Sequence, residues 1–231
     1  MFDQSLSILT QSDTFAVIEF LDQQDDKLEV AKTYSELVKH LYWKDKNVPD
    51  MVALARAGIQ FALAAGTAAA KEDVEMALQL RSEAKSISYN LASFTWIGWD
   101  EPGITLDQTD QCFGLEAARM NLRLAFELDK GDMRISRAYW MEGAQLMSAR
   151  DMAKSRESFR RASTYAARAG AEGGELIAQG FELLIDQLQE PQAIRSQEAM
   201  DALKDKLTQL EHGQMYISQL DTARRVFNPA R

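Results

Sequence analysis

Residues 136–167, SRAYWMEGAQLMSARDMAKSRESFRRASTYAA, decide the fold. The stretch predicts two helices of one repeat folded back on each other. Gly143 and Ala162 lack bulk, so two helix backbones can approach closely there, while Phe159 fills the space beside them.

Outward from this pair, composition supports an all-α chain. Good helix formers such as Ala, Leu, Glu, Gln and Lys are abundant, with only four prolines and twelve glycines. At 231 residues the chain is long enough to bury a sizeable core as one large domain or two small ones. The formal net charge of −9 argues against nonspecific nucleic-acid binding, which needs clustered Lys and Arg, and suits basic or neutral partners. Cys112 is the only cysteine, so neither an intrachain disulfide nor a multi-cysteine metal site can form; it is expected to be a small buried hydrophobe. The opening MFDQSLSILTQSD has no basic segment followed by an apolar run. No apolar stretch is expected to approach the ~18 residues of a membrane span. A soluble, cytoplasmic protein is expected, with no membrane partner.

The organising pair resembles a tetratricopeptide repeat, a helix pair of ~34 residues. Tyr139, Gly143 and Leu146 fall at the pattern's spacing on the first helix, and Ser155, Phe159 and Ala162 on the second. Glu142 stands where the family has Leu, and Ala167 replaces the closing Pro. Elsewhere Ala55, Ile59 and Ala62 repeat the second-helix spacing, Leu91 and Ala92 stand for Leu-Gly, and Ala118, Leu122 and Ala125 precede the family-like ending AFELD. A period of 37 residues separates Gly143 from Gly180 and Ala125 from Ala162. The resemblance implies antiparallel helix pairs stacked as a tetratricopeptide-like right-handed superhelix, an α-solenoid with a C-terminal capping helix. It implies one domain over 1–231: N-terminal helices in 13–66, a repeat in 68–128 with a loop inserted at 98–108, the best-matching repeat in 133–169, and C-terminal helices and cap in 172–227. A different α-α superhelix or an irregular bundle would give a similar sequence.

Individual helices follow from periodicity and punctuation. A short docking helix is expected over 13–22, and a longer one over 26–43, where Leu28, Ala31, Tyr34, Leu37, Val38 and Leu41 make one apolar stripe. KDKN breaks it, and Asn47 caps the next helix with Pro49 in its first turn. A long helix ends at Trp96, Pro102 and Gly103 forbid its continuation, and another helix covers 109–128. After the glycines at 170, 173 and 174, a first-type helix covers 175–189. Beyond Pro191, Met200, Leu203, Leu207 and Leu210 form a single stripe suited to an end cap. Gly213 is expected to end or kink that helix, and a last helix runs to Phe227.

Catalytic constellations are thin, and no enzyme activity, cofactor or metal is expected. His40 and His212 lie far apart; Glu36 and His40 could share a helix face, but as an exposed polar pair. Asp22, Asp25, Asp26, Asp100, Asp107 and Asp110 fall in expected turns and caps, with nothing fixing a catalytic separation. Nucleophile-elbow, dinucleotide and P-loop motifs are all missing.

A surface is the more informative candidate. By the resemblance, first helices line a concave partner-binding groove: Tyr89, Ser93 and Trp96 on one, Arg137, Trp140, Ala144 and Met147 on the next, and Ile177, Phe181 and Leu184 on the third. Aromatics, Met and Arg are residues that interfaces favour. The family's carboxylate clamp is hinted at only by Asn90 and Arg137. These residues could equally pack against neighbouring helices, with the C-terminal helices filling the groove. Two functions stay open: a noncatalytic adaptor binding a peptide or helix of another protein, with homo-oligomers possible, or a small-molecule sensor or accessory subunit with a pocket walled by Trp96, Trp99 and Trp140.

Overall fold

The computed structural model describes residues 1–228; the last three residues of the expected domain lie outside them. It is all-helical, with eleven α-helices and no strand among the described residues. By contact density the chain divides into two compact units, residues 1–95 with 103–128, and residues 96–102 with 129–231.

The first unit contains α1 (Phe2–Gln11), α2 (Thr14–Asp22), α3 (Lys27–His40), α4 (Val48–Ala69), α5 (Val74–Phe94) and α6 (Gln108–Glu127). Side-chain caps start most of them: Asp13, Asp26, Asn47, Asp73 and Asp107 each accept a hydrogen bond from a first-turn backbone N–H. Asp107 and Asp110 form a reciprocal capping box, so the carboxylates at 26, 107 and 110 are cap residues. Helix α1 lies outside the expected helices, because its polar opening DQSLS masks a helix in which only Ser5 is fully buried. Small residues let the other helices close up. Tyr34 lies against Gly58, and a core of Ala31, Ala62, Leu80, Ala84 and Leu124 joins α3, α4, α5 and α6. Antiparallel register between α5 and α6 is fixed by the Arg81–Glu127 ion pair and by Asn121, which donates to the Lys85 carbonyl at 2.7 Å.

Two sequence expectations are corrected in this unit. Cys112 is exposed, because it lies on the face of α6 opposite the buried Gly114, Ala117, Ala118 and Asn121. Helix α4 is 22 residues long with a mean hydropathy of 1.3 over its most apolar stretch, enough by length and composition to cross a membrane. Asp50 and Arg56 interrupt its sequence, yet the alanines and leucines between them keep it apolar. In this fold its Met51, Leu54, Ala55 and Ala62 are core residues.

The second unit contains the 3-10 turn Ile97–Trp99 and helices α7 (Asp132–Ser148), α8 (Met152–Arg168), α9 (Glu172–Gln189), α10 (Ile194–Leu207) and α11 (Gly213–Phe227). The organising stretch forms α7 and α8. They run antiparallel, pinned at two levels by buried hydroxyls: Ser155 donates to the Gly143 carbonyl at 2.7 Å and Ser136 to the Ala162 carbonyl at 2.8 Å. Between α8 and α9 the register is kept by Arg156–Asp186, by Arg160–Glu182 at 3.6 Å, and by Gln179, which donates to the Ser163 hydroxyl at 3.3 Å.

The C-terminal expectation needs adjusting. Helix α10 stops at Leu207, leaving Leu210 half-buried in the connection, while Met200, Leu203 and Leu207 are buried. Gly213 begins α11 instead of ending α10. A Cβ at Gly213 would overlap the carbonyl of Leu207, so only glycine fits this junction.

Candidate partner-binding site

The seven residues expected to line one groove fall in different surroundings. Tyr89 and Ser93 lie half-buried on α5 of the first unit, and Arg137 is exposed on α7. Trp96, Trp140, Met147 and Phe181 are buried in the second unit, with Trp96 only 1% exposed. Ala144, Ile177 and Leu184 are buried as well. The four large side chains thus belong to a packed interior.

That interior is an aromatic cluster. Trp96 meets Trp99 edge-on at 4.8 Å and Trp140 edge-on at 5.4 Å, and Phe181 lies 5.1 Å from Trp140 and stacks on Phe159 at 4.9 Å. Phe227, the last residue of α11, lies over Trp96 at 6.3 Å with ring planes 28° apart. Gly98 is required by Trp96, whose indole folds back into the space a Cβ would occupy there. Within this cluster the indole N–H groups of Trp96 and Trp140 are buried without a hydrogen-bond partner among the described residues. Buried indole donors ordinarily find an acceptor.

On the flank of the same unit, α8, α9 and α10 frame a cleft of about 480 Å³ with Arg156, Glu182, Asp186 and Lys206 in its walls. Burial raises the Glu182 carboxyl above the usual range, against the opposing pull of Arg160 and Arg156.

The first unit presents an exposed counterpart. After α3 the chain takes a π-helical turn, Leu41–Asp45, that ends on Lys46 in a left-handed conformation with φ 53°. A non-glycine residue there costs conformational energy, and π-turns and such outliers concentrate at functional positions. The turn aims Tyr42 inward and Trp43 outward. Tyr42 is buried and stacks on Phe94 of α5 at 4.0 Å with ring planes 4° apart. Trp43 touches both rings edge-on, at 4.8 Å and 5.8 Å, yet remains 54% exposed. The Lys46 ammonium lies 5.6 Å from the Tyr42 ring and 5.5 Å from that of Trp43. Exposed Lys44 extends the basic character, while Asp45 faces His40 at 3.5 Å. Trp43 is therefore a large apolar side chain held in place from below and open to solvent above.

Sequence reasoning passes over Trp43 because it stands at the end of the helix expected over 26–43, outside the stripe that closes at Leu41. The usable signal was phase: Leu37, Val38 and Leu41 define the buried face, and position 43 lies off it. Among the described residues no three His, Cys, Asp or Glu side chains gather as a metal site. His40 lies edge-on to Phe2 at 5.5 Å, and His212 is exposed at the start of α11. No protein-family model, curated protein or solved structure matches the chain.

Proposed function

We propose that the chain is a noncatalytic scaffold that binds another protein, with Trp43 as the anchor of the contact. The observation that carries this is the solvent-exposed indole fixed on the Tyr42–Phe94 stack. A tryptophan whose conformation is already set loses little freedom on binding, and tryptophan leads the residues that dominate interface energies. The helical architecture supports a scaffold role too: consecutive antiparallel helices with small residues at their crossings are what a tetratricopeptide-like superhelix is built from. Lys44 and Lys46 beside the indole favour a partner segment that offers a carboxylate next to an apolar side chain.

The test compares affinity captures from the protein's own cells, analysed by mass spectrometry, for the wild type, Trp43→Ala and Trp43→Phe. A partner held by the wild type and by Trp43→Phe should be lost with Trp43→Ala, matching a hot-spot loss of roughly 30-fold or more in affinity. Retained helical circular dichroism would show that the variant is folded. An unchanged set of captured proteins with folded Trp43→Ala overturns the assignment.

A further inference from the structure

The first 26 residues carry six acidic side chains and no Lys or Arg, whereas residues 27–46 carry five lysines against Glu29, Glu36 and Asp45. The fold gathers each charge beside an exposed ring. On α2, Phe15, Glu19 and Asp22 recur at intervals of four and three, the spacing of one helical face, and all three are exposed while Val17 and Leu21 are fully buried. On the π-helical turn, Trp43 is followed by exposed Lys44 and half-buried Lys46. Phe15 at 77% and Trp43 at 54% are the two most exposed aromatic side chains among the described residues.

The two patches adjoin. Thr14, next to Phe15, donates its hydroxyl to one carboxylate oxygen of Asp50 at 2.8 Å, and the side-chain amide of Asn47, one residue beyond Lys46, donates to the other at 2.7 Å. A single carboxylate at the start of α4 therefore holds the acidic, ring-bearing helix beside the basic, ring-bearing turn. With most of its ring in solvent, Phe15 does not cover Trp43 within the chain. Adjacent patches of opposite charge, each with an apolar ring, form a face complementary to its own copy: across a two-fold axis each patch meets the other kind.

We infer that the molecule docking on Trp43 is a second copy of this chain, in a two-fold dimer that places Phe15 of each copy against Trp43 of the other and the acids of α2 against Lys44 and Lys46. The inference rests on the reading of Trp43 as an interface anchor and names its partner. Helix α2 has the chemistry that anchor selects, a carboxylate one helical turn from an apolar side chain, namely Glu19 and Phe15. Charge also fixes the pairing, because Phe15 on Phe15 would bring carboxylates together and Trp43 on Trp43 would bring lysines together.

Sedimentation of the full-length protein tests this. The wild type should dimerise, and Phe15→Ala and Trp43→Ala should each raise the dimer dissociation constant at least ~100-fold, since the axis applies every substitution twice. An equimolar mixture of the two variants is the decisive sample. Its mixed dimer keeps one intact contact between Phe15 and Trp43, so it should form at least ~10-fold more tightly than either variant pairs with itself. Glu19→Lys and Lys44→Glu provide a second pair that leaves both rings in place. Each alone should weaken the dimer, and their mixture should restore it, because every contact again joins opposite charges. A wild-type dimer that neither pair of variants weakens overturns the inference, as do mixtures that gain nothing. A wild type that stays monomeric at ~100 μM overturns it too. The cellular captures then separate the two readings: Trp43-dependent recovery of a different protein keeps the anchor and replaces its partner, while recovery of none removes the anchor as well.

Discussion

Replacing Gly143 tests the helix crossing on which the architecture of the second unit depends. A Cβ at this position would stand 3.0 Å from Cδ1 and Cε1 of Phe159 and 3.1 Å from its Cγ. The ring cannot retreat freely: it is fully buried, stacked on Phe181 at 4.9 Å and edge-on to Trp140 at 6.0 Å. Two effects oppose each other. A helical glycine is ~1 kcal/mol worse than alanine, so any side chain gains something from propensity. Overpacking a filled interior costs ~1–3 kcal/mol. For Gly143→Ala, one methyl needs a shift of a few tenths of an ångström, and the two effects come within ~1 kcal/mol of cancelling. For Gly143→Leu, three further carbons meet the same ring, and the net loss is ~2 kcal/mol. In a chain of this length that lowers the melting temperature by ~4–8 °C. Thermal melts followed by circular dichroism measure it. Gly174→Ala is the control, since its Cβ would meet only Ala166 at 3.4 Å and Ala171 at 3.8 Å, both ordinary contacts. That variant should not lose stability. A Gly143→Leu protein that melts at or above the wild-type temperature would refute the tight crossing.

Two further outcomes concern ionisable groups. The Tyr34 hydroxyl is fully buried without a partner among the described residues, and burial, followed by the charge of Asp22, pushes its pKa well up. Tyr34→Phe should therefore gain ~1 kcal/mol in urea unfolding at pH 7. Because the folded state keeps its proton where the unfolded tyrosine releases it, wild-type stability should also fall as pH rises above ~10, and Tyr34→Phe should lack that component. Glu182 follows the same sign: burial raises its folded pKa, so the folded state binds the extra proton and stability declines as pH rises from the unfolded value of ~4.3 through the raised one. Melting curves of Glu182→Gln from pH 4 to 7 should show a flatter decline than the wild type; a steeper one would show that the Arg160 contact outweighs burial.

Much of the helix layout was legible because the signals were local. Asp26, Asn47 and Asp107 cap where short polar residues precede periodic runs, and the buried Ser155, Phe159 and Ala162 lie on α8 as their spacing predicts. What failed depended on geometry that spacing does not encode. Trp43 lies off the face of Leu37, Val38 and Leu41 by helical phase alone, but spacing does not encode the π-helical turn, or the Tyr42–Phe94 stack that holds the indole there. Cys112 was judged by residue type when its helical phase decided its exposure. At Trp96, Trp140 and Phe181 the sequence could say that large rings recur at helical spacing, but not whether another helix covers them. The answer lay far along the chain in Leu220 and Phe227 of α11, which no local pattern links to Trp96 or to α9.

The path of residues 96–102 has a practical consequence. The chain leaves the first unit after Thr95, spends seven residues in the second, and returns at Gly103. No single stretch of sequence therefore encodes the second unit. Expressed alone, residues 129–231 would lack Trp96 and Asp100, leaving Phe227 without its ring partner and Arg225 without its carboxylate. Conversely, a protease cutting at Lys130 beside the positive-φ Gly131 would leave Trp96 on the amino-terminal fragment. That fragment stays noncovalently tethered to the other through the aromatic cluster, so a nicked chain would run as two bands in denaturing gels and one species in solution.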